Sequence, residues 1–224
     1  MKARLFQFLT SPFCAKVRKI LDYKGLEYEI IEVDYLERKE LLTASGQIMV
    51  PALTLESGET VADSDRIAMR LEELYPEPTI FPPGQRGIHI ALARYIDSAV
   101  EDAIFRIAVL DEAEYLRRSG ADREAMWHLI RDRKYGNGFV DRMRNELQAN
   151  WHAVTAVLAP FEEQLSAGVG AFLMSRIGLA DFSLYGQLYL LALTGELKIP
   201  VSMPHLRAFY ERMDRITASL DAGM

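Results

Sequence analysis

The chain has 224 residues, half of them apolar, which is long and apolar enough to bury real cores in one large domain or two small ones and excludes a disordered polypeptide. Its formal charge of −6 gives no support to nucleic-acid binding or to attraction toward anionic lipid, and no stretch of about 18 apolar residues marks a membrane span. Cys14 is the single cysteine, so no intrachain disulfide is possible. The histidines His89, His128, His152 and His205 lie far apart and no CxxC occurs, so no metal site is expected. The start of the chain lacks the apolar core and cleavage site of a signal peptide, and a cytoplasmic globular protein is the expectation.

Residues 3–9 (ARLFQFL) read as a short buried strand. Ser11-Pro12 then supplies a favoured helix cap and a proline preset for the first turn. Val17, Ile20 and Leu21 follow at helical spacing, with the Lys24 stem at the edge of the stripe and Gly25 as C-cap. Tyr28 to Val33 reads as a second strand, residues 35–45 as a short helix and Ala52 to Leu55 as a third strand. Ser57-Gly58 makes a turn, and Thr60-Val61 pairs back as a hairpin partner. Ile67, Ala68, Leu71, Leu74 and Tyr75 form a last helical stripe, capped by Asp63 or Ser64.

This βαβαββα order is the thioredoxin-like arrangement, a mixed sheet with helices on both faces. Residues 76–87 hold four of the nine prolines and read as a linker. Helices are then predicted over about 88–117, 122–165 with a break near Tyr135–Gly138, 179–194 and 204–217, an all-α bundle. The expected organisation is an α/β domain over 1–78, a linker over 79–87 and an all-α domain over 88–224.

Three element starts carry groups suited to chemistry. At Ser11-Pro12-Phe13-Cys14 the free N–H groups and positive end of a helix favour a thiolate; a cap hydroxyl can donate to an incoming sulfur, or Cys14 can itself be the thiolate. The alternative is an ordinary cap followed by a buried cysteine. Val50-Pro51 stands at a strand start, where a cis bond turns backbone groups toward a ligand; the alternative is a plain loop proline. Asp63-Ser64 at another helix start suits a ligand carrying an amine and a carboxylate, with plain capping as the alternative. Taken together, the three suit a tripeptide with a thiol, a peptide backbone and a γ-glutamyl zwitterion, which glutathione has.

These residues resemble the glutathione transferase superfamily, in a bacterial-type form with an SPFC active-site segment. SPFCAKVRKIL resembles the first active-site segment, SGQIMVPAL the segment before the cis-proline, and VADSDRIAMRLEELYP the γ-glutamyl clamp and its helix. The motif match covers residues 4–76; the helical half matches in layout. Gly178-Leu179-Ala180-Asp181 resembles the N-capping box of the core helix, with glycine in place of Ser or Thr, so half of the reciprocal cap is missing and Asp181 is structural.

The resemblance implies glutathione as co-substrate, conjugation to a small electrophile, no metal and a homodimer. It places Ser11 as the thiolate stabiliser, because the first position of the four-residue segment is catalytic in serine-type classes. Cys14, at the fourth position, is the alternative, working through a mixed disulfide on a disulfide substrate. A non-catalytic binding or scaffold protein is a third reading. Phe13, Val50, Pro51, Asp63 and Ser64 are the implied glutathione-binding residues. Gln47 is a candidate for the glycine carboxylate. Lys39 and Arg18 read as solvated surface charge, with the glycine carboxylate as the alternative. Tyr115, Trp127 and Tyr135 read as core or interface aromatics, with an electrophile pocket as the alternative. Residues 131–138 (RDRKYGNG) read as a kink or loop, not a nucleic-acid patch.

Overall fold

The structure is a computed structural model that describes residues 2–168 and 170–217. The end of the expected helical domain, 218–224, lies outside the described residues.

The first half is the predicted mixed sheet. Strand β1 (Ala3–Gln7) leads into helix α1 (Pro12–Tyr23), strand β2 (Tyr28–Glu32) and helix α2 (Lys39–Ser45); strands β3 (Ala52–Thr54) and β4 (Thr60–Ala62) and helix α3 (Ser64–Leu74) follow. The strand order is β2-β1-β3-β4. β1 and β2 are parallel, with Leu5 opposite Ile30, while β3 runs antiparallel to both β1 and β4. Helices α1 and α3 cover one face through Val17, Ile20, Leu21, Ile67 and Leu71, and Leu41 of α2 packs on the other against Phe6 and Ala52.

The second half is helical: α4 (Arg86–Tyr95), α5 (Glu101–Ser119), α6 (Ala121–Tyr135), α7 (Phe139–Asn145), α8 (Leu147–Ser166), α9 (Leu179–Tyr189) and α10 (Pro204–Arg215). The predicted 88–117 helix is continuous, α4 passing into α5 through a π turn over Ile96–Val100, and the 122–165 stretch breaks at Gly136–Gly138, where a break is expected, and again at Glu146. Residues 131–135 are the last turn of α6 and 136–138 form the break, so the kink read within 131–138 occupies its last three residues.

Two corrections concern buried charge. Lys24, placed by its spacing at the stripe's edge, has a fully enclosed side chain. Its ammonium donates to Glu72 at 2.8 Å and to the carbonyls of Tyr75 and Pro78 at 2.6 and 3.0 Å. Glu72 also accepts the Ile80 N–H at 3.1 Å. The proline-rich connection is thereby pinned: Ile80 is buried in the main core, and its carbonyl accepts the Leu179 N–H at 2.9 Å. Arg18 is the second case. It is half-buried, donates to Gln7 Oε1 and stacks over the Tyr189 ring, so it is not a solvated surface charge; Lys39 is exposed.

The main core runs through both halves, and α1 meets α9 at its centre. That crossing requires a glycine. A Cβ on Gly186 would lie 2.5 Å from the Pro12 carbonyl oxygen and 3.2 Å from Lys16 Cβ. A smaller separate core, with Trp127, Phe139 and Val109, holds α5, α6 and α7 together.

Candidate functional site

Helix α1 starts where the sequence places it. Ser11 is its extended N-cap, and Ser11 Oγ accepts the Cys14 N–H at 3.3 Å. An oxygen used in this way as acceptor keeps its hydroxyl hydrogen for another partner. Cys14 faces inward and is completely buried. Burial pushes its thiol up to about 11, outweighing a hydrogen bond with Ser11 and one from the Phe8 backbone. A thiol so placed has the opposite of the exposed, electropositive setting that makes cysteine reactive.

The second predicted element is the loop ahead of β3. Gly46, with φ +71°, ends α2 in the left-handed conformation. The Gln47 amide then braces the loop by bonding both the N–H and the carbonyl of Met49 at 2.7 Å. The Val50–Pro51 peptide bond is cis. The Pro51 carbonyl accepts the Asp63 N–H at 3.2 Å, which fastens this loop to the third element. Asp63 has φ +83°, the single non-glycine residue with positive φ among the described residues. Its carboxylate holds that conformation by capping α3, accepting the Asp65 and Arg66 N–H groups at 3.1 Å. Aspartate is one of the residue types that tolerates positive φ, and such outliers cluster at ligand sites.

These parts meet. Phe13, Gln47, Val50, Pro51, Asp63 and Ser64 line one cleft of about 640 Å³, along with Arg66, Arg94 and Asp97. A second cleft of about 200 Å³ adjoins it, the two sharing Phe13, Met49 and Val50. Ser11 lines the second cleft, which lies between the sheet half and the helical half and is walled by Phe8, Tyr35, Phe105 and Tyr135. Of the three aromatics named from the sequence, only Tyr135 reaches this cleft. Trp127 is buried in the smaller core, and Tyr115 lines a separate small hollow.

Two buried polar networks under the clefts are invisible in the sequence pattern. Lys16, on the buried side of α1, donates to Asp65 at 2.6 Å and Asp97 at 2.7 Å. Asp97, delivered by the π turn, also accepts from Ser183 and Gln187 of α9. Glu112 accepts from Thr10 at 2.9 Å, from Tyr35 at 3.3 Å and from Arg131 at 2.9 and 3.1 Å. Each network joins residues some 80 or more apart in the chain on at least one link, so no local motif announces them.

The core helix α9 departs from its expected cap. Asp181 Oδ2 accepts the Gly178 N–H at 2.9 Å, as the resemblance implies, and Oδ1 accepts the Leu173 N–H at 2.8 Å. The missing half of the cap is supplied from elsewhere: His89 of α4 accepts the Ala180 N–H at 3.4 Å through Nδ1. The ring stands where a side chain at position 178 would be, and a Cβ there would lie 2.3 Å from His89 Cε1.

No group of three or more His, Cys, Asp or Glu side chains fit to hold a metal ion occurs among the described residues, and none of their helices is long and apolar enough to cross a membrane.

Residues 5–79 match the family model of the glutathione S-transferase amino-terminal domain. The chain spans about half the length of the curated relatives matched first. The probable glutathione S-transferase GSTU6 of Oryza sativa subsp. japonica is 31% identical over 109 residues, 45% of this chain and 46% of that one. Among solved structures, glutathione transferase GSTFuA3 from Phanerochaete chrysosporium superposes with a TM-score of 0.81 at 22% identity, covering 96% of both chains. The glutathione S-transferase CsGST63524 of Ceriporiopsis subvermispora, solved with glutathione, gives a TM-score of 0.78 at 18% identity over 96% of this chain and 98% of that one. The two structures establish a shared fold across both halves, while the sequence likeness is carried by the amino-terminal domain match over residues 5–79 and by the relative.

Proposed function

We propose that this chain is a glutathione transferase in which Ser11 stabilises the thiolate of glutathione for attack on a small electrophile. The observation that carries this reading is the junction of the two clefts. The larger has the parts to receive a peptide with a zwitterionic end: backbone at Val50, the Asp63 carboxylate, and Ser64 at the start of α3. The smaller is aromatic, and Ser11 stands on its wall next to the shared residues Phe13 and Val50.

The chemistry asks little of Ser11. Its hydroxyl donates one hydrogen bond to the sulfur, while the positive end of α1 adds to the stabilisation. A hydrogen bond to a charged group contributes roughly 1.5–3 kcal/mol, equal to about one to two pH units of thiol acidity. No covalent enzyme intermediate forms. The thiol proton leaves to water, and the C–S bond forms as the electrophile's leaving group departs or its double bond is saturated. The enclosed Cys14 thiol argues against the mixed-disulfide route. A homodimer in a reducing, intracellular setting completes the proposal. The exposed apolar side chains Ile48, Met49, Leu74, Ile88 and Tyr95 are available for such a contact, and the unpaired cysteine suits that setting.

The test is Ser11→Ala. The variant should still be retained on immobilised glutathione, while the pKa of the bound thiol rises by about one to two units and kcat falls about ten- to a hundredfold. Full activity in Ser11→Ala, with loss in Cys14→Ser and glutathione found attached to Cys14, would overturn the assignment.

A further inference from the structure

The smaller cleft is more basic than an apolar electrophile requires. Three cations, Arg38, Arg131 and Lys134, line it against two carboxylates, Glu101 and Glu112, in a chain that is acidic as a whole. Glu112 is spent on Arg131, Thr10 and Tyr35. Arg38 and Lys134 form no ion pair among the described residues. Arg38 is fixed by donating to the carbonyls of Tyr35 and Ile48 at 3.3 and 3.2 Å. Its guanidinium lies 5.2 Å from the Phe8 ring and 5.3 Å from the Tyr35 ring, which are themselves stacked. Lys134 Nζ sits 4.8 Å from the Tyr135 ring on the helical side. Glu101, the remaining carboxylate, acts on Lys134 only at longer range, and burial favours its neutral form.

The volume gives the rest of the ligand room for a ring. An apolar cavity of about 150 Å³ holds a benzene ring, so a cleft of about 200 Å³ holds one substituted ring. Its aromatic walls match such a ring by stacking.

Resting on the reading above, we infer that the second substrate is a single-ring aromatic electrophile bearing a carboxylate, its ring held among Phe8, Tyr35, Phe105 and Tyr135 and its anion by Lys134 and Arg38. The two cations come from opposite walls, so a carboxylate between them fixes which ring carbon faces Ser11. With a chlorinated ring as the probe, the sulfur of the glutathione thiolate forms a bond to the ring carbon bearing chlorine, and chloride leaves with the C–Cl electron pair.

The experiment compares 4-chloro-3,5-dinitrobenzoate with its neutral amide in the full-length protein. The wild type should favour the acid in kcat/KM. In Lys134→Met that preference should fall about tenfold or more, the size of one hydrogen bond to a charged group, Lys134→Arg should restore it, and added salt should weaken the acid only. Calorimetric binding of 3,5-dinitrobenzoate and 3,5-dinitrobenzamide, with S-methylglutathione present, reads the same preference without turnover. Loss of all conjugation with the binding preference intact would sink the transferase reading and leave the anion site standing. Equal binding of acid and amide, or a preference that Lys134→Met and Arg38→Met leave in place, would overturn the inference.

Discussion

Gly178→Ser restores the hydroxyl that the family's capping box usually carries, and the structure predicts that this repair destabilises the protein. A serine N-cap in place of glycine adds only a few tenths of a kcal/mol, and even against alanine about 1 kcal/mol. The new Cβ would lie 2.3, 2.4 and 2.8 Å from three atoms of the His89 ring. His89 is fully buried and cannot swing aside freely. Overpacking of that kind costs typically 1–3 kcal/mol. Gly178 has φ −158° and ψ −176°, extended backbone open to any residue, so no conformational penalty blurs the steric one.

A net loss of about 1–3 kcal/mol corresponds to a fall of roughly 2–4 °C in Tm per kcal/mol for a chain of this size. His89→Ala alone also destabilises, by removing the acceptor for the Ala180 N–H and opening a cavity. The double variant makes room for the serine and supplies its oxygen as the cap. Urea unfolding of all four proteins should therefore show a favourable coupling of at least about 1 kcal/mol. A Gly178→Ser protein that melts higher than wild type, or strictly additive single variants, would refute this account of the glycine.

Two further expectations concern buried titratable groups. With its thiol pushed up to about 11 and no exposed surface, Cys14 should react with iodoacetamide in the native protein far more slowly than in urea, and raising the pH from 6 to 8 should leave it protected. Native alkylation at the rate of a free thiol would contradict the packing. Asp181 is fully enclosed and forms no ion pair among the described residues, and burial lifts its carboxyl from 3.8 to about 7. The folded protein then holds a proton that the unfolded chain has released between about pH 4 and 7, so this residue's contribution to stability falls as pH rises through that window and is level above it. The stability difference between wild type and Asp181→Asn should follow that slope, and a flat difference would show that the two backbone donors keep the carboxylate charged throughout.

The sheet half was legible because its signals are local. Ser11-Pro12 and Asp63-Ser64 announce helix starts, and Gly25 and Gly58 sit where the chain turns with φ of +67° and +88°. The larger cleft follows from those starts. The smaller cleft was not legible, because Phe8, Tyr35, Phe105 and Tyr135 converge only through the docking of α5 and α6 on the sheet. Arg131 and Lys134 looked like part of a polar break because the glycines at 136 and 138 dominate that stretch; helical spacing puts both on the cleft side of α6. Lysine burial is hidden for a different reason. Lys16 and Lys24 lie in helical positions flanking the apolar stripe, and only distant carboxylates and carbonyls make their enclosure tolerable. The glycine at 178 signalled a missing cap, yet its cause is a histidine 89 residues earlier.

The seam between α1 and α9 bears on how such a protein can be recombined. Lys16 is enclosed by one carboxylate from each half, and Asp97 is in turn held by Ser183 and Gln187. Grafting the first 80 residues onto an unrelated helical partner would strand that ammonium without Asp97, and any side chain in place of Gly186 would wedge the crossing apart at Pro12. Shuffled offspring of this scaffold therefore inherit the four positions 97, 183, 186 and 187 as a set together with Lys16, while the walls of the smaller cleft are left to diverge around them.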